Sequence, residues 1–286
     1  VRKDDKWFCP VYVDAGPDGA LYVCDWYDEQ CNHLKHSEGQ LHANDGRLFR
    51  IRAREGRVLK QFDLSKLTVL ELLEHLKSSN RWWREEARRA LWQHKDRKNA
   101  LPTLEKWIND EKGQLALEGL WCRSLIDDLA IQVFRKAMRS ANPHVRRWAI
   151  RLAVDNGDLT PAHLTEVSEV LVAEQDLEVL SQAASSAPRL PIQEALAILR
   201  PILGNKIIRN NAQLSLLTWW AIEPHCEKFS RECVALLLRK EVMAPKVFVR
   251  LNRWLATSGN LNNLKLSGEM LSSIGEFTKD EQRELW

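Results

Sequence analysis

The chain has 286 residues, 44% of them apolar and 28% charged, the balance of a globular protein and not of a disordered segment. Its net charge of +3, from 42 Lys and Arg against 39 Asp and Glu, lacks the basic excess that nucleic-acid binding uses. No stretch reaches the roughly 18 uninterrupted apolar residues that cross a bilayer.

The chain opens at Val1 with neither an initiator Met nor an apolar leader, and is expected to be an internal fragment of a longer protein. Residues 8–27 place two alternating apolar runs around Gly16-Pro17-Asp18-Gly19, which predicts a β-hairpin. A tight closure would set Val13 opposite Tyr22 and Val11 opposite Cys24. A polar stretch rich in His and Asn follows from Asp28 to Ala43. Alternation then resumes over Gly46–Ala53 and predicts a third strand. Three strands alone bury too little apolar surface for stability, so residues 1–62 are expected to need neighbours from a larger β-domain.

From Leu67 the apolar period changes from two to about 3.6, and residues 63–286 read as helices in pairs. The predicted pairs are Leu67–Leu76 with Arg81–Trp92, Leu101–Asn109 with Gln114–Arg123, and Leu129–Arg139 with Pro143–Val154. They continue as Thr160–Ala173 with Leu177–Ser186, Ile192–Leu203 with Asn210–Ile222, and Phe229–Lys240 with Lys246–Ala256. A last helix covers Leu261–Ile274. Helix–turn–helix units recurring every 30 to 40 residues or so define an α-solenoid.

The cysteines Cys9, Cys24, Cys31, Cys122, Cys226 and Cys233 form no C-x-x-C or C-x-x-C-H, which excludes zinc ribbons, thioredoxin-like sites and haem attachment within this chain. Cys226 and Cys233, seven apart on one helix, would stand about 10 Å apart along its axis, too far for a disulfide. The histidines show no zinc-binding spacing, and no Walker, G-x-G-x-x-G or G-x-S-x-G motif occurs. The paired tryptophans Trp82-Trp83 and Trp219-Trp220 either fill gaps between stacked helices or turn one ring each toward a partner.

Asn80–Ala87 and Asn142–Ala149 both open a second helix with Asn at the cap, then Arg and Trp, then Ala. The second of these resembles the HEAT-repeat turn pattern D/N-P-x-V-R-x-x-A closely, the first loosely. Gly16-Pro-Asp-Gly-Ala-Leu-Tyr-Val-Cys-Asp25 resembles a strand–turn–strand pattern of six-bladed β-propellers of the glucose/sorbosone dehydrogenase type. The longer run through Asp25-Trp-Tyr-Asp28, Asn32-His33, His36-x-Glu38-Gly39 and Asn44-x-Gly46-Arg47-Leu48 is similar to the last blade of planctomycete and verrucomicrobial membrane-bound dehydrogenase-like proteins. The helix near Trp82, the Asp176–Pro191 unit and Leu216–Pro224 are similar to the same family, in which a propeller is followed by HEAT repeats and a c-type haem domain.

That resemblance implies a mainly α fold: a HEAT-like α-solenoid at 63–286, preceded at 1–62 by the end of a terminal propeller blade. It implies a periplasmic or cell-envelope location and a parent protein holding c-type haem and Ca²⁺, with no cofactor and no metal site in this chain. Cys9 and Cys24 depart from the family pattern, and the absent C-x-x-C-H puts any redox role elsewhere. No catalytic residue is carried over.

Asp25 at a strand end is a candidate for a sugar hydroxyl or Ca²⁺, or else caps the next turn through backbone N–H groups. Tyr27, His33 and His36 on the following loop would line a substrate mouth, or form a solvated loop. Arg81, Arg84 and Arg88, with Arg146 and Arg147, form basic strips that either pair with nearby Glu or bind an acidic partner. The expected function is a structural and interaction scaffold between the propeller and haem domains of its own polypeptide. The alternatives are a part of a sugar or alcohol oxidoreductase using the Asp25 loop, and an independent protein-binding HEAT module.

Overall fold

The computed structural model describes residues 5, 7–28, 44–56, 59–111, 113–155, 159–239, 241, 242, 244–276 and 279. Among these the fold is mainly α: thirteen α-helices, preceded by one three-stranded antiparallel sheet. Among the described residues no helix is long and apolar enough to cross a membrane. Two compact units are present, residues 1–100 and 101–286. The first holds the sheet together with the first helix pair, and so runs past position 62, where the sequence pattern changes from strands to helices.

In the first unit, β1 (Pro10–Ala15), β2 (Leu21–Asp25) and β3 (Arg47–Ile51) pair in the order β1-β2-β3. The hairpin register differs by one residue from the expected closure: Val13 opposes Val23 and Tyr12 opposes Cys24. The connection is five residues long because the Gly16 N–H bonds the Ala20 carbonyl at 2.8 Å and the Gly19 N–H closes on Gly16. Gly19 adopts φ +77°, a conformation that costs a glycine little. A bulge between Pro10 and Tyr12 then shifts the pairing, so that Pro10 faces Asp25.

This register puts Val13, Val23 and Phe49 on one face with Leu21 and Ile51, and Tyr12, Cys24 and Leu48 on the other. Apolar side chains are open on both faces: Val13 58%, Leu21 47% and Ile51 53% exposed on the first, Tyr12 60% and Leu48 65% on the second. Helix α1 (Val69–Leu76) starts in a capping box, with Thr68 and Glu71 satisfying each other's backbone N–H groups. It buries Leu72, Leu73 and Leu76, and packs on α2 (Arg81–Gln93), which buries Ala87 and Leu91. Two carbonyls of the hairpin turn dock on α2: Gly16 accepts from Asn80 Nδ2 and Pro17 from Trp83 Nε1, each at 2.9 Å.

The second unit contains α3 (Leu101–Asp110), α4 (Gln114–Ile126), α5 (Ile131–Met138), α6 (Pro143–Asp155), α7 (Pro161–Ala173), α8 (Leu177–Ser186), α9 (Ile192–Leu203), α10 (Lys206–Asn210), α11 (Ala212–Leu237), α12 (Pro245–Thr257) and α13 (Leu261–Ser273). Contacts run in two series, α3–α5–α7–α9 and α4–α6–α8–α11, so the helices of each series rest on one another two or three places along the chain. This two-layer stack buries one continuous core from Ile108 to Met270. At the α3–α4 crossing, a Cβ on Gly119 would lie 2.9 Å from the Leu104 carbonyl, so only glycine allows that approach.

Two expected helices, Asn210–Ile222 and Phe229–Lys240, form one run that is broken at Phe229 (φ −132°, ψ 37°), after Pro224 has removed a backbone donor. The break falls between Cys226 and Cys233. The Cys226 thiol donates to the Ile222 carbonyl at 3.5 Å, and the neighbouring Cys233 thiol together with burial pushes Cys226 well above the ordinary thiol value. Both are free, buried thiols.

Candidate functional site

Asp25 ends β2 and is 3% exposed. Its Oδ1 accepts the N–H of Cys9 at 2.8 Å and of Tyr27 at 3.1 Å, while Oδ2 accepts Arg47 Nε at 2.7 Å. The Arg47 guanidinium also reaches Asp5 at 3.1 Å and lies over the Tyr27 ring, 3.4 Å from its centroid. Tyr27 carries φ +50°, the left-handed conformation that non-glycine residues adopt at a cost. Trp7 packs against the same ring, with centroids 5.7 Å apart.

One carboxylate therefore fastens four pieces of chain: the approach to β1, the end of β2, the turn at Tyr27 and the start of β3. Burial pushes the Asp25 pKa up, but the Cys9 and Tyr27 N–H groups and Arg47 outweigh it, so the group is held below the usual aspartate range. The groups bonded to its oxygens are nitrogen donors. That set does not fit Ca²⁺, which needs oxygen ligands. Of the four candidate loop residues, the structure brings Asp25 and Tyr27 together through Arg47; His33 and His36 lie outside the described residues. Among the described residues, no three His, Cys, Asp or Glu side chains converge as metal donors.

Residues 1–58 match a domain of unknown function (DUF7133). The matched span takes in β1, β2, β3 and the Asp25 cluster, and ends before α1. No curated protein matches the chain.

The arginine candidates lie on α2 and α6. In α2, Arg81 Nε bonds Glu85 at 2.7 Å, and Arg84 Nη1 bonds the carbonyls of Ser78 and Ser79 at 2.8 and 3.0 Å. Arg88 is half-buried and also has an interaction partner. In α6, Arg146 grips Glu174 through two hydrogen bonds of 2.8 and 2.7 Å and bonds the Ser140 carbonyl at 2.8 Å. Arg147 reaches Glu178 at 3.0 Å.

The starts of α2 and α6 share one construction. Ser78-x-Asn80-x-x-x-Arg84 and Ser140-x-Asn142-x-x-x-Arg146 each have Ser Oγ accepting the Asn N–H. Each Asn Oδ1 caps the helix, and each Arg closes on the Ser carbonyl. In the next unit Glu174 takes the serine's place, accepting the Asp176 N–H at 2.9 Å while holding Arg146. Arg146–Glu174 thus joins α6 to the turn between α7 and α8. Burial raises the Glu174 pKa, but Arg146 and the Asp176 and Gln175 N–H groups outweigh it and hold the group below the usual range.

Sequence reasoning missed Glu174 and Glu166, the latter buried and bonded by Arg135 and Arg139 at 2.8 and 2.9 Å. The signal for Glu174 was its place two residues before a helix cap, where Ser78 and Ser140 stand. Of the tryptophans, Trp82 and Trp83 are half-buried against Phe62 and His75, while Trp219 is buried and Trp220 is 52% exposed. The Trp219-Trp220 pair does present one open ring.

Proposed function

We propose that this chain is a structural and interaction scaffold, a segment of a larger polypeptide in which a β-propeller is followed by HEAT-like repeats and a c-type haem domain. The observation that carries this reading is the sheet with apolar side chains open on both faces. Val23 is buried, but exposed Tyr12, Leu48, Val13 and Ile51 leave apolar surface open on both faces, which fits a piece of a layered β-domain whose other layers would pack against it. The helical unit needs no such completion, because its core is continuous.

On this reading the sheet is the terminal blade, and its turn is bolted to the first helix pair through Asn80 and Trp83, so that the helices hold the propeller at a set distance from the haem domain. Asp25 acts as the bolt of the blade and not as a ligand for sugar or metal, since its oxygens are already engaged. The scaffold would work in the periplasm or cell envelope, as the sequence resemblance implies. Hydrogen exchange tests the reading. The β1–β3 amides should exchange at least about tenfold more slowly in the longer polypeptide than in this chain alone. Equal protection in both would mean that the sheet is complete as it stands and would remove the reading.

A further inference from the structure

On a straight helix Cys226 and Cys233 would stand about 10 Å apart along the axis, beyond the reach of a disulfide. The run Ala212–Leu237 is not straight. Pro224 withholds one backbone donor, and the chain leaves helical geometry at Phe229 (φ −132°, ψ 37°), between the two cysteines. Across that bend the Cys233 thiol is a direct neighbour of the Cys226 thiol. Both residues are free and completely buried. Beyond Cys233, the Cys226 sulfur has the Ile222 carbonyl at 3.5 Å, and a thiol is a weak donor.

The surroundings narrow what this pair can do. Both cysteines belong to the continuous apolar core, with Trp219, Ile222, Val234 and Leu237 from the same helix. The second thiol, burial and the Glu223 carboxylate all push Cys226 above the ordinary thiol value. The thiolate is the form that attacks electrophiles and binds metals, so neither role suits a thiol held in this way. Among the described residues, no three His, Cys, Asp or Glu side chains gather to hold a metal there. Two adjacent, uncharged, buried thiols retain one reaction, the loss of two hydrogens to give a single S–S bond.

We infer that Cys226 and Cys233 form a disulfide that clamps the bend of α11, made while the chain folds and then enclosed by the core. The exchange balances. A small-molecule disulfide such as oxidised glutathione takes up the two electrons and two protons and leaves as two thiols, while the S–S bond forms between the cysteines. Burial sets the timing. Before the core closes, the thiols are open to exchange; afterwards the same enclosure keeps oxidant and reductant out. The bridge closes a short loop, so it constrains the unfolded chain little and acts mainly by holding the bend. That bend matters because α8, α9, α12 and α13 all rest on α11. The inference draws on the scaffold reading only for an oxidising compartment, and it does not involve the sheet.

The test refolds the whole chain from urea in a mixture of oxidised and reduced glutathione, blocks remaining thiols with iodoacetamide in urea, and maps tryptic peptides by mass without reduction. Trypsin cuts at Lys228 and Arg231, between the two cysteines, so a bridge appears as two joined peptides. That joined pair is expected, with Cys122 recovered alkylated. The native reduced chain, placed in the same mixture without urea, should bridge at least about tenfold more slowly, and the amides around Phe229 should exchange about tenfold more slowly in the bridged chain than in Cys233→Ser. Recovery of Cys226 and Cys233 as alkylated thiols or glutathione adducts, or a bridge from either to Cys122, would overturn the pairing. Equal bridging rates with and without urea would overturn the timing, and equal exchange around Phe229 would overturn the clamp. None of these outcomes bears on the β1–β3 amides in the longer polypeptide, so failure here and failure of the scaffold reading are separable.

Discussion

The sheet and the helical stack treat their apolar residues in opposite ways. On the strands, Val13, Leu21, Leu48 and Ile51 are each about half exposed or more. On α9 alone, Ala195, Ile198, Leu199, Ile202 and Leu203 are all completely buried. A helix in a stack finds its covering partners one to three places along the same chain, whereas a strand covers only its edge and leaves both faces to other layers. The sheet therefore keeps its shape through polar bolts, Asp25 with Arg47 and the turn bonded to Asn80 and Trp83. The stack keeps its shape through burial, and adds ion pairs such as Arg146–Glu174 where a turn must be fixed.

The largest effects should arise inside the stack. Arg146→Ala strands the Glu174 carboxylate, whose side chain is only 4% exposed, and should destabilise the unit by about 3 to 5 kcal/mol in urea unfolding. The double variant Arg146→Met, Glu174→Leu should recover most of that loss, because removing both charges removes the stranded one. Phe134→Ala, at a fully buried position, should cost a similar 3 to 5 kcal/mol or so. If neither single variant shifts the urea midpoint, the stack does not depend on burial.

Acid should act on both regions through their lowered carboxylates. A group whose folded pKa lies below its unfolded value contributes fully above the unfolded value and is lost as pH falls through the folded one. For Asp25 the loss begins below its ordinary 3.8, and for Glu174 below 4.5. Hydrogen exchange measured downward from pH 6 or so should show both regions loosening in that acid range, with Asp25→Asn flattening the step in the sheet and Glu174→Gln the step in the stack. A step that survives its own variant would assign the acid sensitivity to other carboxylates.

Smaller losses are expected at the helix starts. Asn142→Ala removes one cap and should cost about 1 kcal/mol. Asn80→Ala removes a cap and also the bond to the Gly16 carbonyl, and should cost about 2 kcal/mol in urea unfolding. A cost no larger than that of a lone cap, about 1 kcal/mol, would mean that the hairpin turn is held without Asn80.

How much of this was legible in the sequence depends on the same division. Helix periodicity reports burial directly, so α8 and α9 fall on the expected residues and most others within a few. The break at Phe229 was not legible, because Pro224 marks a lost donor but not where the chain bends. In the sheet, alternation gives the strands but not the register, which the Gly16–Ala20 bond and the Pro10 bulge decide. The cluster at Asp25 was half legible: an aspartate before a turn suggests a cap, but Arg47 comes from a strand more than twenty residues on, and nothing local announces their pairing. Glu174 stayed hidden because a lone glutamate between helices looks solvated until its arginine is placed.

The smallest expected effect is the most informative about the sheet. Leu48 is 65% exposed on the face it shares with Tyr12 and Cys24, so Leu48→Ser in this chain should change stability by no more than about 0.5 kcal/mol. If further β-structure covers that face in the longer polypeptide, the same substitution there removes a buried leucine and should cost about 1.5 to 3 kcal/mol. The ratio of the two costs measures the covering layer without reference to its sequence. A substitution that is equally mild in both settings would leave the leucine in water throughout, and the sheet would then be held by Asp25, Arg47 and the α2 contacts alone.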